Sequence, residues 1–140
     1  MSFYLDASVL LSMVIEEQRS DAIDHFLAAS ESVLWVSEFA SAEVASALSR
    51  LLRTGNLTVQ AAEIGLTDYD VWVATTANLV DVEGRDVRFA TFIVRRFDLM
   101  LRAPDALHLA ICRRLGATMA TLDRRLATAA RALDIEVAPI

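Results

Sequence analysis

Four acidic residues are the side chains of this sequence with the clearest capacity for chemistry. They are Asp6 in FYLDASVLL, Glu43 in SAEVASAL, Asp105 in RAPDALHLA and Asp123 in ATLDRRLA. If the fold brings them together, two carboxylates ~4 Å apart repel each other by about 4 kcal/mol at an effective dielectric constant of ~20. A hard divalent cation offsets such repulsion best. The four acids therefore predict a Mg²⁺ or Mn²⁺ site, and such sites commonly act on phosphates.

Each of the four acids also has a simpler interpretation. Asp6 follows an apolar run and precedes a predicted helix that it could cap, although Ser8 could take that role instead. Glu43 lies in the middle of a predicted helix, where small neighbours leave room for its carboxylate to point into a crevice, but it could also be a solvated helix glutamate. Asp105 lies in a first helical turn, where the helix dipole favours an acid, and Asp123 could simply cap the helix that follows it. The sequence alone leaves both interpretations open.

The other polar residues are weaker candidates. Thr121 precedes Asp123 by two positions and could hold a carboxylate or a water, whereas His108 reads as a packed or surface histidine and Cys112 as a core residue. The four glycines do not cluster into a phosphate-binding loop, and no Cys/His spacing suits zinc. Two distant histidines without a serine elbow argue against a Ser-His-Asp hydrolase.

Alternating strands and helices must position these acids. Apolar runs without internal alternation favour a parallel sheet covered by helices on both faces. Ligands of such sheets bind beyond the carboxyl ends of the strands. Asp6 ends the first strand and Asp123 follows the fourth, so both reach one crevice if these strands are neighbours. The predicted strands are residues 3–6, 33–37, 78–82, 117–122 and 135–138. The predicted helices are 8–15, 20–30, 38–53, 58–75, 85–97, 104–115 (with Gly116 after its last turn) and 124–133.

Composition predicts a single globular domain. The chain has 140 residues, is 55% hydrophobic and carries a net charge of −6. Its only cysteine allows no internal disulfide, and neither a bilayer-spanning run nor a signal peptide is evident, so the cytoplasm is the expected compartment. The negative charge argues weakly against gripping nucleic acid by bulk charge. All 13 basic residues are arginines, and an acidic nuclease would need either a basic partner or local arginine pairs such as those at 95–96, 113–114 and 124–125.

Four segments taken together resemble the PIN-domain family, and within it the VapC-type toxin ribonucleases. The matching segments are YLDASVLL, SAEVASAL, RAPDALHLAIC and ATLDRRLATAARALDIEVAP, which lie between residues 4 and 139. Residues 56–100 add only a helix–strand–helix pattern. The resemblance implies one PIN-like nuclease domain over residues 1–140. It also implies a three-layer α/β/α fold with a central parallel sheet of about five strands.

The resemblance also implies an activity, namely Mg²⁺- or Mn²⁺-dependent hydrolysis of RNA by an endoribonuclease. By motif match Asp6, Glu43, Asp105 and Asp123 form the acidic cluster, with Asp6 and Asp105 as the direct metal ligands. The number of metal ions stays open. The implied partners are RNA, a cognate VapB-type antitoxin and a second copy in a homodimer. A catalytically inactive PIN-like scaffold that binds a protein partner is the alternative, and a phosphotransfer domain is disfavoured because the chain has no lysine.

Overall fold

The computed structural model describes residues 1–15, 20–29 and 31–140. Strands and helices alternate along the chain for most of its length, as the apolar runs predict. The strands are β1 (Ser2–Leu5), β2 (Val33–Ser37), β3 (Asn78–Val80) and β4 (Thr118–Ala120), and the helices are α1 (Ala7–Val14), α2 (Ser20–Ala29), α3 (Glu38–Arg53), α4 (Val59–Thr76), α5 (Gly84–Val94), α6 (Ala103–Leu115) and α7 (Arg124–Ala132). No helix in these described ranges combines the length and the apolar composition needed to cross a bilayer.

The sheet is parallel and has the strand order β3–β2–β1–β4. Strand β1 is therefore central, and its Tyr4 lies opposite Trp35 of β2 and Met119 of β4. The first and fourth strands are neighbours, which is the condition under which the sequence places Asp6 and Asp123 at one crevice. Because parallel neighbours end at the same edge of the sheet, the residues that follow β1 and β4 lie side by side.

The prediction of about five strands is wrong, since the sheet has four strands in the described part of the chain. Residues 135–138 form only an isolated parallel bridge between Met119 and Val137. Two backbone hydrogen bonds of 2.8 Å hold it, from the Met119 amide to the Glu136 carbonyl and from the Ala138 amide to the Met119 carbonyl. Pairing stops there because β4 is only three residues long and Pro139, which follows, has no amide hydrogen to donate.

Helices cover both faces of the sheet. Successive residues of β1 point to opposite faces, so Phe3 and Leu5 pack in one core cluster and Tyr4 in the other. The Phe3 cluster takes buried residues from α1, α2, α3 and α4, whereas the Tyr4 cluster takes them from α5, α6 and α7. The expected three layers are present, and both clusters meet along the central strand, which ends at Leu5 directly before Asp6.

Several element boundaries differ from the predicted ones. The predicted helix 20–30 includes residue 30, which lies outside the described residues. The predicted helix 85–97 ends at Val94, and a 3₁₀ turn, Phe97–Leu99, follows it. Met100 then takes a left-handed backbone conformation with φ of 52°, which stops any helix there. The framing of α6 is confirmed, since Pro104 lies in its first turn and Gly116, with φ of 61°, ends it.

Candidate functional site

Asp6 lies at the carboxyl end of β1 and is 3% exposed. Its amide donates a 3.2 Å hydrogen bond to the Ala120 carbonyl, so the pairing of β1 with β4 continues up to this residue. Its Oδ1 accepts a 2.6 Å bond from Ser8 Oγ, and its Oδ2 accepts a 2.6 Å bond from Thr121 Oγ1. Both carboxylate oxygens are thus held in place by hydroxyl groups from two different segments.

The same Asp6 side chain caps helix α1. Its Oδ1 accepts hydrogen bonds from the amides of Ser8 (3.1 Å) and Val9 (3.2 Å). The capping interpretation of Asp6 is therefore confirmed, and the alternative in which Ser8 caps the helix is wrong. Ser8 instead donates its hydroxyl to Asp6. Capping does not exclude a functional role, because it fixes the rotamer of the carboxylate.

Burial raises the pKa of Asp6, and hydrogen bonds from Ser8 and Thr121 lower it only in part. In the described part of the chain no arginine pairs with Asp6. A buried carboxylate without a cationic side chain is costly. Hard oxygen donors at such a position are the ligands that Mg²⁺ and Mn²⁺ prefer, so the chemistry of Asp6 fits the predicted divalent ion.

Two hydroxyl groups join Asp6 to the loop between β4 and α7. Thr121 Oγ1 accepts a 3.0 Å bond from the Asp123 amide, and Ser8 Oγ accepts a 2.9 Å bond from the Leu122 amide. Each hydroxyl therefore donates to the Asp6 carboxylate and accepts from this loop. The expectation that Thr121 holds a carboxylate is confirmed, and the contact positions Asp123 beside the Asp6 end of the sheet.

Asp123 caps helix α7. Its Oδ1 accepts hydrogen bonds from the amides of Arg125 (2.7 Å) and Leu126 (3.2 Å). The simpler interpretation of this residue is thus also correct. Since both capping bonds use Oδ1, Oδ2 is not needed for the cap.

Two substitutions at Asp123 distinguish the effect of its helix cap on stability from the effect of its negative charge. We expect Asp123→Ala to lower the free energy of unfolding by about 1 kcal/mol, because α7 loses the acceptor at its first turn. Asp123→Asn should stay within about 0.5 kcal/mol of wild type, since asparagine caps as well as aspartate. Urea unfolding followed by circular dichroism measures both. Equal stability of the alanine and asparagine variants would contradict a capping role.

Glu43 is not a freely solvated glutamate. It extends from the middle of α3, and its Oε2 lies 2.5 Å from His108 Nε2 of α6. The Glu43 side chain is 29% exposed, whereas that of His108 is 4% exposed. Of the two interpretations of His108, packed or surface, the packed one is confirmed, and the residue is buried against the predicted site residue Glu43. Its spacing of three residues from Asp105, which places both on one helix face, was the available signal.

Asp105 lies in the first turn of α6, and its side chain is 23% exposed. Its Oδ2 is 3.5 Å from Arg102 Nε, and the Arg102 side chain is 81% exposed. An ion pair this exposed contributes little to stability. Asp105 is therefore a partly accessible carboxylate that nothing else in the described structure commits to a strong contact.

Hydrogen bonds link the four predicted acids in two pairs, Asp6 with the loop of Asp123 and Glu43 with the helix of Asp105. Asp6 is linked through Thr121 to the loop that carries Asp123, and Glu43 is linked through His108 to the helix that carries Asp105. Among the described residues, no group of three or more His, Cys, Asp or Glu side chains is close enough to hold a metal ion. Mg²⁺ needs only one or two direct carboxylates and keeps several waters. The roles of the individual acids therefore stay predictions.

Comparison with known proteins gives one family. The family model described as PIN domain matches residues 3–132. No curated protein matches the chain.

Solved structures with this fold include toxins and toxin–antitoxin complexes. VapC20 of Mycobacterium tuberculosis, a sarcin-ricin loop cleaving toxin, is 18% identical with a TM-score of 0.72, covering 91% of this chain and 94% of its own. VapBC2 of Rickettsia felis, bound to a DNA fragment from its promoter, is 13% identical with a TM-score of 0.73, covering 99% and 98%. A toxin–antitoxin complex from Klebsiella pneumoniae is 14% identical with a TM-score of 0.66, covering 98% and 97%. At these identities the likeness shows the fold alone.

Proposed function

The chain belongs to the PIN domain family, and on that premise we propose that it is a Mg²⁺- or Mn²⁺-dependent endoribonuclease, the toxin of a VapBC-type toxin–antitoxin module. The observation that carries the proposal is the buried Asp6 carboxylate at the carboxyl end of β1, which pairs with no arginine of the described chain. The shared fold of VapC20, a sarcin-ricin loop cleaving toxin, supports a cleaving toxin as the function of this chain.

The four acids have different roles in the proposed reaction. Asp6 and Asp105 are the residues that would hold the ion. Such an ion, when bound, neutralises phosphate charge and lowers the pKa of a water molecule. Glu43, held by His108 through one oxygen, accepts a hydrogen bond from the attacking water. Asp123 adds negative charge at the same edge of the sheet while it caps α7.

The hydroxyl groups around Asp6 orient its carboxylate. Ser8 and Thr121 each donate to one oxygen, which holds the side chain in a single rotamer before any ion binds. Removal of a group that orients a metal ligand typically lowers metal affinity or activity about 10- to 100-fold. The two hydroxyls therefore belong to the proposed site although they touch no substrate.

Removal of the ion and of Asp105 tests the nuclease. We expect the purified protein to cleave single-stranded RNA with Mn²⁺ or Mg²⁺ and to lose this activity in EDTA. Asp105→Asn should cleave about 100-fold more slowly or worse, because it removes a charged oxygen donor. Arg102→Gln, a neighbouring exposed residue, is the matched control and should keep substantial activity. Cleavage that persists in EDTA, or an Asp105→Asn variant as active as wild type, would contradict the proposal.

The inactive scaffold remains the second candidate, and exposed apolar side chains favour a protein partner in either case. Phe97 is 81% exposed and Met100 is 86% exposed, both on the segment between α5 and α6. The proposed partners are a cognate VapB-type antitoxin and a second copy in a homodimer, acting in the cytoplasm where the RNA substrate lies. A scaffold predicts no Mn²⁺-dependent cleavage of any RNA, whereas the toxin predicts cleavage by the free protein and inhibition by its partner.

A further inference from the structure

A continuous chain of hydrogen bonds runs through the core to Glu43. The amide of Ala40 donates to Ser37 Oγ over 3.0 Å. Ser37 Oγ lies 2.8 Å from the Tyr4 hydroxyl, which in turn lies 2.8 Å from His108 Nδ1. His108 Nε2 then contacts Glu43 Oε2 at 2.5 Å. The chain connects the start of α3, the central strand and α6, and it ends at the one member that the proposed reaction uses.

The interior members of this chain are sealed from water. Tyr4 and Ser37 are fully buried, and His108 is 3% exposed. Burial raises the pKa of Tyr4, so its phenol keeps its hydrogen. The imidazole ring is also flanked by aromatic rings, with the centroid of Phe39 at 5.2 Å and that of Tyr4 at 5.8 Å. Its orientation is therefore fixed by packing as well as by hydrogen bonds.

The hydrogens in the chain can all be satisfied in one direction only. The Ala40 amide can only donate, so Ser37 Oγ accepts there. Among the described residues the Tyr4 oxygen is the remaining partner of Ser37 Oγ, so the Ser37 hydrogen goes to Tyr4 and the Tyr4 hydrogen to His108 Nδ1. The reverse direction would leave the buried Ser37 hydrogen without an acceptor, which is unfavourable. His108 Nδ1 is thereby an acceptor.

We propose that His108 is a positioning residue, a neutral imidazole with its proton on Nε2 that holds Glu43 Oε2 and so sets the direction of the Glu43 carboxylate. Tyr4 and Ser37 select this tautomer, as second partners of a histidine do in many sites. With one oxygen of Glu43 held, the other is directed to the water of the reaction. This last consequence rests on the proposed nuclease function, whereas the hydrogen-bond chain is a property of the free protein.

The tautomer can be measured without activity. The chain has two histidines, His25 and His108, so His25→Gln leaves a single imidazole to label. We expect the ¹⁵N spectrum of the metal-free protein near neutral pH to show a neutral ring with Nε2 protonated and Nδ1 bare. Tyr4→Phe removes the donor to Nδ1 and should shift that resonance. A ring protonated on Nδ1, or on both nitrogens, would overturn the proposal.

Substitution of His108 tests the positioning of Glu43. We expect His108→Ala to lower kcat for RNA about 10- to 100-fold with little change in KM. His108→Gln, whose amide can donate from a similar position, should recover part of the loss. Circular dichroism and thermal unfolding confirm that each variant folds. A His108→Ala variant that folds and keeps the wild-type kcat would overturn the proposal.

A crystal structure of His108→Ala supplies a readout that needs no turnover. We expect the Glu43 carboxylate to move or to become disordered while the α3 backbone stays in place. An unchanged Glu43 side chain would overturn the positioning role. If wild-type protein cleaves no RNA with Mn²⁺, the nuclease proposal fails by itself, and the tautomer and the Glu43 position still decide the inference on His108.

Discussion

Asp6→Asn is expected to abolish metal-dependent RNA cleavage, with a loss of about 10³-fold or more. The amide removes the negative charge that would attract the ion, at the one buried carboxylate of the site. Its oxygen can still accept hydrogen bonds from the Ser8 and Val9 amides, so α1 keeps its cap. RNA cleavage at equal concentrations of folded protein measures the effect. Asp68→Asn, an exposed aspartate on α4, is the matched control.

The same substitution should stabilise the metal-free protein. Burial raises the pKa of Asp6 above its unfolded value. The folded state therefore holds this proton more tightly, and its contribution to stability is fully present below the unfolded pKa of ~3.9 and is lost as pH rises through the folded pKa. At neutral pH, above the unfolded pKa, the buried Asp6 carboxyl group costs stability. We expect Asp6→Asn to unfold later in urea by on the order of 1 kcal/mol, as often occurs when a functional charge is removed.

Divalent ions should make wild type more stable than Asp6→Asn, the reverse of the order in the metal-free proteins. An ion that binds only the folded state stabilises it by about 2.7 kcal/mol at ~100 times its dissociation constant. Wild type should gain this stability from Mn²⁺ and Asp6→Asn should not. Asp6→Asn should therefore have the higher melting temperature without Mn²⁺, and wild type the higher one with saturating Mn²⁺. Ion-induced stabilisation of equal size in both proteins would show that Asp6 is not a ligand.

Local signals in the sequence account for most of the fold. The run VLWVS and the helix that ends before Gly55 coincide with β2 and α3 at both ends, because apolar content, capping and a helix stop are properties of neighbouring residues. The fifth strand could not be judged in this way. Its pairing depends on how far β4 extends, which only the tertiary structure decides.

In the candidate site, too, features set by neighbouring residues could be predicted and features set by the tertiary structure could not. Asp6 and Asp123 each follow a strand and precede a helix, so their capping bonds could be predicted, and their functional roles stay predictions. The contact of Glu43 with His108 joins residues 65 positions apart. The spacing of His108 from Asp105 places both on one face of α6, but it does not show that Glu43 lies opposite. The acids can therefore be found from the sequence, whereas the role of His108 as the residue that holds Glu43 cannot.

The expected arginine pair at 113–114 needs a correction for one member. The Arg114 guanidinium is bonded on three sides, with Nε 2.7 Å from Asp86 Oδ1, Nη2 2.9 Å from Asp86 Oδ2 and Nη1 3.0 Å from Glu83 Oε1. Its side chain is 13% exposed. Arg114 is thus committed to joining α6 to the start of α5, and it is not a free phosphate contact. Arg113 lies over the Phe89 ring at 4.6 Å and remains on the surface.

Asp86 depends on this arginine. It is 2% exposed and also accepts a 2.8 Å hydrogen bond from the Glu83 amide, which caps α5. Burial alone would raise the pKa of Asp86, but the bonds from Arg114 and the Glu83 backbone outweigh it and hold the pKa below its usual range. The pair therefore contributes stability above the unfolded pKa of aspartate, and this contribution is lost as pH falls through the lowered folded value.

Arg114→Ala is expected to lower the free energy of unfolding by about 3–5 kcal/mol at neutral pH, because it leaves the Asp86 carboxylate buried and unpaired. Arg113→Ala, its exposed neighbour, should cost about 1 kcal/mol or less, the size of an exposed cation–π contact. Urea unfolding at pH 7 compares the two. Asp86→Leu combined with Arg114→Leu should recover much of the loss, since an apolar pair leaves no buried charge. Similar losses in Arg113→Ala and Arg114→Ala would show instead that Arg114 is an ordinary surface arginine, available to contact RNA.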